Sequence, residues 1–187
     1  SVPGVGEFGR TQPFSFSLWL RPNQATKRAV VVTYSRAGLD AGSMGYELLL
    51  EDDRPSFAIC HFCPGNAVRI RTRQPIPLQA WTHIACTYDG SSRASGLHLY
   101  INGLPADIEV VRDNLYKDIL YDGSFNMKDD VTASVLALGS RHNDNSLTNA
   151  SLDEFKVWDR EMTPIEMEWE AGAMIPAKPE VWFPWWL

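Results

Sequence analysis

The chain has 187 residues, a formal net charge of −6 and 44% hydrophobic residues, which suits one domain with a sizeable core. A net acidic chain is a poor general nucleic-acid binder, because phosphate affinity comes from clustered lysine and arginine. No stretch approaches the roughly 18 apolar residues of a transmembrane helix, and we expect no signal peptide among these residues. We expect neither nucleic-acid binding nor membrane insertion, and we interpret both ends as cuts inside a longer polypeptide.

Short alternating and β-branched segments separated by turn residues predict an antiparallel β protein. In the first segment, Phe14, Phe16, Leu18 and Leu20 share one face, as the two-residue period of a strand requires. The further predicted strands are 29–34, 46–51, 56–62, 67–72, 81–89, 96–103, 104–111, 135–139 and 152–158, with 112–133 as the longest connection. About ten strands in all predict an all-β fold, a two-sheet antiparallel sandwich.

Two local motifs predict a turn and a helix. Asn102-Gly103 suits the two positive φ angles of a type I′ turn, so the strand after it should form a hairpin with the strand before it. Thr163 with Glu166 forms a capping box, and Pro164 occupies the first helical position. Gly172 is placed to end this helix. We therefore predict one short C-terminal helix.

Several of these segments resemble the laminin-G-like, concanavalin A-type jelly rolls. Residues 81–90 and 96–103 are similar to the family pattern W-x-H-V-A-x-T-Y-D-G … G-L-x-L-Y-x-N-G. Residues 14–22 look like the opening strand of the family, and residues 138–141 followed by 152–160 look like its closing pair of strands. The resemblance covers most of the chain and implies a lectin-like jelly-roll domain over 1–173. Residues 174–187 are then a Trp-rich tail or the start of the next segment.

A narrower resemblance concerns three loop-rich segments. Residues 40–43, 45–52 and 64–67 are similar to jelly-roll domains embedded in large planctomycete-type bacterial proteins. This resemblance implies a module that works outside the cytoplasm, periplasmic or secreted, beside other domains of its parent protein. We expect Trp182, Trp185 and Trp186 to fold back onto the sandwich or to pack against a neighbouring molecule.

A candidate carbohydrate site follows from antiparallel geometry. The loop 35–45 and the turn 61–66 should be neighbours, because they lie at the same end of consecutive strands. Donors, acceptors, an imidazole and aromatic faces suit sugars, which present both hydroxyls and apolar C–H faces. The alternative is a loop-bracing ion pair beside a structural histidine. The predicted site residues are Arg36, Asp40, His61, Asn66 and Tyr46.

Two further groups are candidate ligand sites. Asn143, Asp144 and Asn145 form an oxygen-rich loop of the kind that holds hard cations, and the resemblance implies calcium because pentraxins and some laminin-G modules bind it. An Asn/Asp-rich turn without a metal is the alternative. The arginine stripe 69–73 places alternate side chains on one strand face. We interpret it as a solvated face, or else as a subsite for an acidic sugar or sulfate.

The three cysteines are too few for a disulfide-stapled scaffold. Cys60 and Cys63 have C-x-x-C spacing without a second such motif. We expect free thiols, with a Cys60–Cys63 bridge as the alternative if the turn is tight, and Cys86 as a small core residue. His83 and His98 are interpreted as half-buried sheet residues, and as cross-strand neighbours if the strands align, rather than as metal ligands.

The sequence contains no clear catalytic set. Retaining hydrolysis needs two carboxyl groups about 5 Å apart, whereas residues 51–53 lie at a turn and Asp153 and Glu154 should point to opposite faces of a strand. The expected function is therefore a non-catalytic carbohydrate-binding module of a larger bacterial protein. A protein–protein or interdomain module without a sugar ligand is the alternative, and a glycoside hydrolase or lyase is a third interpretation.

Overall fold

The computed structural model describes residues 5–35, 44–120, 135–141 and 146–172. These residues form two antiparallel sheets and one short helix, which confirms the predicted all-β sandwich. The described strands are β1 (Phe14–Pro22), β2 (Arg28–Ser35), β3 (Gly45–Glu51), β4 (Arg54–Phe62), β5 (Asn66–Thr72), β6 (Thr82–Tyr88), β7 (Leu97–Ile101), β8 (Leu104–Pro105), β9 (Ile108–Asn114), β10 (Val135–Leu138) and β11 (Ala150–Trp158), and the helix α1 is Pro164–Glu170.

The chain crosses several times between the two sheets, as in a jelly roll. One sheet has the order β11-β1-β6-β7-β8, and the other has the order β10-β2-β3-β4-β5-β9. Strands β2 to β5 form a continuous meander, whereas β1 pairs with β6 and β11, which are distant in sequence. The helix α1 is too short to cross a membrane, and no other helix in the described ranges meets the length and hydrophobicity of a span.

The core lies between the two sheets and contains the alternating residues that the sequence pattern predicted. Phe14, Phe16, Leu18 and Leu20 are all buried there. The ring of Phe14 lies 4.7 Å from the ring of Tyr46 on the opposite sheet, measured between centroids. Each such side chain contributes on the order of 2 kcal/mol through removal of apolar surface from water.

The hairpin after Asn102-Gly103 is shorter than predicted. Only Leu104–Pro105 pairs with β7, and the chain then crosses to the other sheet, where β9 pairs with β5 and extends to Asn114. Pro105 has no backbone N–H and cannot donate to a further strand, which suits the end of a ladder. The predicted strand 104–111 therefore belongs to two sheets, and the predicted connection begins later than residue 112.

The turn and the helix cap are confirmed, and they pack together. Asn102 has φ 50° and Gly103 has φ 82°, as the type I′ turn requires. Thr163 and Glu166 form the reciprocal capping box. A Cβ atom at Gly103 would lie 2.9 Å from the Cα of Glu168 in α1. The absence of a side chain at Gly103 thus allows the helix to seat on the hairpin.

We predict that Gly103→Ala lowers the free energy of unfolding by at least about 2 kcal/mol. The cost of an alanine in the left-handed conformation and the cost of the steric clash with α1 both contribute to this loss. The matched control is Gly172→Ala, since Gly172 also has positive φ, 67°, but nothing lies within 4 Å of an added Cβ. The control should lose roughly 1 kcal/mol. Urea unfolding measures both, and equal losses would show that the close approach to the helix has no energetic role.

Candidate functional site

The candidate site lies at the end of the six-stranded sheet where the β4–β5 turn stands. Across this end the register aligns Ser35 with Gly45, Gly45 with Cys60, Cys60 with Ala67 and Ala67 with Asn114. The residues that flank the loop after β2 therefore lie beside the β4–β5 turn, as the antiparallel argument predicted. Arg36 and Asp40 themselves lie outside the described residues.

A disulfide joins Cys60 and Cys63 across this turn, with their Cα atoms 5.7 Å apart. The expectation of free thiols was therefore wrong for this pair, and the tight-turn alternative is correct. The reason is local geometry, because a chain reversing within four residues brings the two Cα atoms into bridging range. Cys86 is free and buried in the core, and burial raises the pKa of its thiol.

His61, Asn66 and Tyr46 hold the structure of this end together. The Asn66 carboxamide oxygen accepts hydrogen bonds from the backbone N–H groups of Tyr116 (3.0 Å) and Lys117 (3.4 Å). His61 Nδ1 donates to the carbonyl of Asp118 at 2.5 Å. Asn66 and His61 therefore fix the segment after β9 against the β4–β5 turn.

Burial removes two of the predicted site residues from direct contact with a ligand in this conformation. Asn66 is 4% exposed, and Tyr46 is 1% exposed within the aromatic core. The Tyr46 hydroxyl donates to the carbonyl of Gly6 at 2.9 Å, and burial raises its pKa. A ligand role for the group that includes Arg36 and Asp40 stays a prediction.

Asp118 organises the backbone beside His61. Its Oδ1 accepts N–H groups from Arg10 (3.1 Å), Ile119 (2.7 Å) and Leu120 (3.2 Å). Partial burial raises the pKa of this carboxyl, but the backbone hydrogen bonds and the charge of Arg10 outweigh it and lower the pKa. The carboxylate thereby stays ionised and ties the N-terminal segment to the segment after β9.

The outward side of this end presents two aromatic rings. Phe62 is 51% exposed and Tyr116 is 63% exposed. Beside them, Arg112 Nε donates to the carbonyl of Pro64 and the Asn114 side-chain amide donates to the carbonyl of Gly65, both at 2.8 Å. We call this area the turn surface and define it by its exposed side chains, Phe62, Arg112, Asn114, Tyr116 and Lys117.

Sequence reasoning missed all five residues of the turn surface. Phe62 falls at the end of the predicted strand 56–62, and residues 112–133 are predicted only as the longest connection. A usable signal is present, because Phe62 lies two residues before Pro64, where the strand and its alternation into the core end. Tyr116 carried no comparable signal, since its position depends on the Asn66 side chain.

Each arginine of the stripe has a carboxylate partner, and only Arg73 is largely solvated. Arg69 bonds to Glu47, and Arg71 donates from Nε and from a terminal nitrogen to Glu109 at 2.9 and 2.7 Å. Arg73 lies beyond the strand, 3.3 Å from Asp107. Each arginine of the stripe is therefore neutralised by a carboxylate from another part of the chain, with Glu47 on β3 and Glu109 on β9, and the sequence pattern of one strand could not reveal these partners.

Glu47 lies at the centre of this charged sheet face and is 2% exposed. One of its carboxylate oxygens accepts from Arg69 and the other accepts from Arg141. Its carboxylate also lies within 4.8 Å of the sulfur atoms of Cys60 and Cys63, which makes these three a metal-ligand-like group. The disulfide occupies both sulfurs, so the pair does not offer thiolate ligands in this state.

We predict that Glu47→Gln lowers the free energy of unfolding by about 3 kcal/mol, because it removes the buried negative charge that Arg69 and Arg141 share and leaves their hydrogen bonds without charge assistance. Glu109→Gln is the matched control, since Glu109 binds Arg71 on the same sheet face with greater exposure, where ion pairs contribute little. Denaturant unfolding at pH 7 measures both variants. A control that destabilises as much as Glu47→Gln would refute the special role of the buried carboxylate.

The two strand histidines are not cross-strand neighbours. His98 faces Thr87 in the ladder, whereas the backbone N–H of His83 donates to the side chain of Asn102. His98 is largely exposed, 3.8 Å from Glu161. His83 is 2% exposed rather than half-buried, and its ring lies 5.3 Å from the indole of Trp19.

Burial controls the protonation of His83. Desolvation lowers its pKa to about 4, against the opposing effect of Glu170. In the unfolded chain the same side chain has a pKa near ~6.5. As the pH falls, His83 is protonated in the unfolded state at a higher pH than in the folded state. The free energy of unfolding therefore decreases as the pH falls from 6.5 to about 4.

We predict that the wild-type domain loses about 2 kcal/mol more stability than His83→Gln when the pH is lowered from 8 to 5. At pH 5 the imidazole of His83 is neutral in the folded wild type but protonated in its unfolded state, and the variant has no such difference. Urea unfolding at the two pH values measures this difference. A parallel decline for both proteins would mean that other groups cause the acid sensitivity. His98→Gln serves as the exposed-histidine control.

The remaining predicted features lie outside the described residues. These are the proposed calcium ligands Asn143, Asp144 and Asn145 and the tryptophans of the tail, Trp182, Trp185 and Trp186. The calcium site and the tail docking stay predictions.

Comparison with known proteins defines the class of this domain. Residues 1–167 match the family model described as "Concanavalin A-like lectin/glucanases superfamily". The chain belongs to this superfamily, and its two antiparallel sheets have the expected jelly-roll form. No curated protein sequence matches the chain.

Solved structures with the same fold include binding domains of larger proteins. Domain 4 of AbnA, a GH43 extracellular arabinanase from Geobacillus stearothermophilus, solved in complex with arabinotriose, has a TM-score of 0.59 at 21% identity, covering 86% of this chain and 66% of that chain. The binding domain of Paraclostridial Mosquitocidal Protein 1 has a TM-score of 0.59 at 18% identity, covering 89% and 38%.

A structure of botulinum neurotoxin type C, whose cell entry depends on interaction with two ganglioside molecules, has a TM-score of 0.57 at 14% identity, covering 87% of this chain and 36% of that chain. This chain spans less than two thirds of each of these three structures. At such identities the similarity establishes the fold.

Proposed function

We propose that this domain is a lectin-like module that binds carbohydrate without cleaving it. The observation that carries the proposal is the exposed aromatic pair of the turn surface, Phe62 and Tyr116, beside the polar side chains of Arg112 and Asn114. Sugars present an apolar C–H face that packs on aromatic rings and hydroxyls that need hydrogen-bond partners. The turn surface offers both kinds of contact.

The positions of the two aromatic residues favour an oligosaccharide. Phe62 ends β4 and Tyr116 follows β9, and β5 lies between these two strands in the sheet. The Asn66 side chain at the start of β5 bonds to the backbone of Tyr116. Two aromatic rings at the ends of different strands suit successive rings of a sugar chain.

The support for a non-catalytic role is chemical. Glycoside hydrolysis uses two carboxyl groups, one of which must carry a proton. On the described sheet face, Glu47 and Glu109 are each bonded to arginine, and the interaction with Arg71 lowers the pKa of Glu109. Carboxylates held in this way serve as counter-ions rather than as proton donors.

The proposal extends to the setting of the domain. A disulfide between Cys60 and Cys63 is typical of an oxidising compartment, which favours a periplasmic or secreted protein. The solved structures with this fold include domain 4 of an extracellular arabinanase and the binding domain of a mosquitocidal protein, which supports a module that lies beside other domains of a bacterial parent protein. In this proposal the domain binds carbohydrate and contacts the other domains of its parent protein.

A protein-interaction module is the second candidate, and a different surface favours it. Ile165 is 66% exposed and Trp169 is 69% exposed, four residues apart on α1, and Leu104 in the adjacent β8 is 60% exposed. Apolar side chains at this spacing share one helix face. Such a patch suits contact with a neighbouring domain rather than with a sugar.

We predict that Phe62→Ala and Tyr116→Ala each weaken polysaccharide binding at least tenfold, because each removes one stacking ring. Affinity electrophoresis against a panel of soluble polysaccharides, run with calcium and with chelator, measures the effect. Trp169→Ala is the matched control, since it removes an exposed aromatic ring from the other surface and should bind as the wild type does.

Three results would contradict the proposed function: silence of the wild type on the whole panel, unchanged binding by both turn-surface variants, or a loss confined to Trp169→Ala. The last result would favour the interaction module. Loss of wild-type binding in chelator would support the predicted calcium loop around Asp144. Circular dichroism of each variant checks that the fold is retained.

A further inference from the structure

We infer that the turn surface selects anionic glycans, which carry uronate carboxylates or sulfate groups. This inference rests on the proposed function and specifies its ligand class. The observation behind it is that Arg112 and Lys117, on either side of the exposed Tyr116 in sequence, have no carboxylate within salt-bridge distance among the described residues.

The surroundings of Arg112 make this feature unusual for the sheet. Its cross-strand neighbour is Arg69, which is bonded to Glu47, and the next arginine of that face, Arg71, is bonded to Glu109. Arg112 instead uses its Nε to hold the carbonyl of Pro64 at 2.8 Å. The two terminal nitrogens of its guanidinium are left with donor capacity.

The acids nearest in sequence do not neutralise these cations. Asp113 lies between Arg112 and Asn114 on β9, so alternation places it on the opposite side of the strand. Its Oδ1 accepts the backbone N–H of Ala94 at 3.0 Å. The Asp118 carboxylate is engaged by three backbone N–H groups. Both acids thus serve as internal acceptors that fix the backbone.

The geometry suits recognition of a planar or tetrahedral anion. The Nε bond to Pro64 restrains the guanidinium, and a restrained guanidinium offers paired donors to a carboxylate or sulfate. Phe62 lies over the same turn, since its ring atom Cδ1 is 4.0 Å from the position of a Cβ on Gly65. A sugar ring stacked on Phe62 would therefore bring its substituents near Arg112.

The net charge of the chain gives the inference a measurable consequence. A domain with a formal charge of −6 repels polyanions in general, so binding of an anionic glycan depends on local cations. Such attraction weakens with ionic strength, because salt screens exposed charges beyond about 8 Å at 0.15 M. Neutral glycans that use only stacking and hydroxyl contacts should not respond to salt in this way.

The test compares anionic polysaccharides with neutral counterparts of similar backbone. Polygalacturonate and its carboxyl-reduced form probe uronate recognition, and carrageenan and agarose probe sulfate recognition. The variant Arg112→Gln/Lys117→Gln is compared with Arg21→Gln/Lys27→Gln. The control makes the same change in net charge at two exposed cations near the β1–β2 connection, at the other end of the sandwich.

We expect the wild type to prefer an anionic polymer, and the Arg112/Lys117 variant to bind it at least tenfold more weakly at low salt. The Arg21/Lys27 variant should bind as the wild type does, and 0.5 M sodium chloride should remove most of the preference. Arg112→Lys keeps the charge but lacks the paired donors, so it should retain only part of the affinity. The polymer pair that shows the effect identifies uronate or sulfate as the recognised group.

Equal binding of anionic and neutral polymers by the wild type, unchanged binding by the Arg112/Lys117 variant, or equal losses in both double variants would overturn the inference. If neutral glycans bind and Phe62→Ala weakens them, the proposed function stands while the anionic preference fails. If no polysaccharide binds, both fail together. Thermal unfolding of each variant shows whether loss of the Arg112–Pro64 hydrogen bond has altered the fold.

Discussion

The antiparallel register of the six-stranded sheet is the constraint on which the rest of this molecule depends. It aligns Gly45, Cys60, Ala67 and Asn114 at one level, so the β4–β5 turn and the end of β9 meet at one end of the sandwich. A shift by one residue would exchange the faces of a strand. It would move core residues such as Phe57 outward and would separate Arg69 from Glu47. Core packing and charge pairing therefore specify the same register.

The features predicted from sequence are those that short segments determine. Alternation located the core face of β1, the Asn102-Gly103 pair located a turn, and the capping box located α1, because each depends on neighbours within about five residues. The partners of Arg69 and the sheet assignment of β9 were not predictable in this way. They depend on which strands lie side by side, and this is decided by packing over the whole domain.

The candidate site shows the same division between local and long-range information. Polar residues at a turn suggest ligand contacts, and on that basis His61 and Asn66 were chosen. Both side chains instead bind the backbone of the segment after β9: the buried Asn66 oxygen accepts the N–H of Tyr116, and the half-buried His61 donates to the carbonyl of Asp118. Phe62 and Tyr116 are exposed at the same end of the sheet. Their exposure could not be predicted from the sequence, because it depends on how the ends of the strands pack.

The inward and outward residues of the β4–β5 turn act together. The Cys60–Cys63 bridge closes a loop that contains only His61 and Phe62. His61 is tied inward to Asp118, and Phe62 is left facing outward. A residue held between a disulfide and an anchored neighbour has less conformational freedom to lose when a ligand binds. The structural roles of His61 and Asn66 thereby support recognition, since they preorganise the aromatic rings and Arg112 that a glycan would contact.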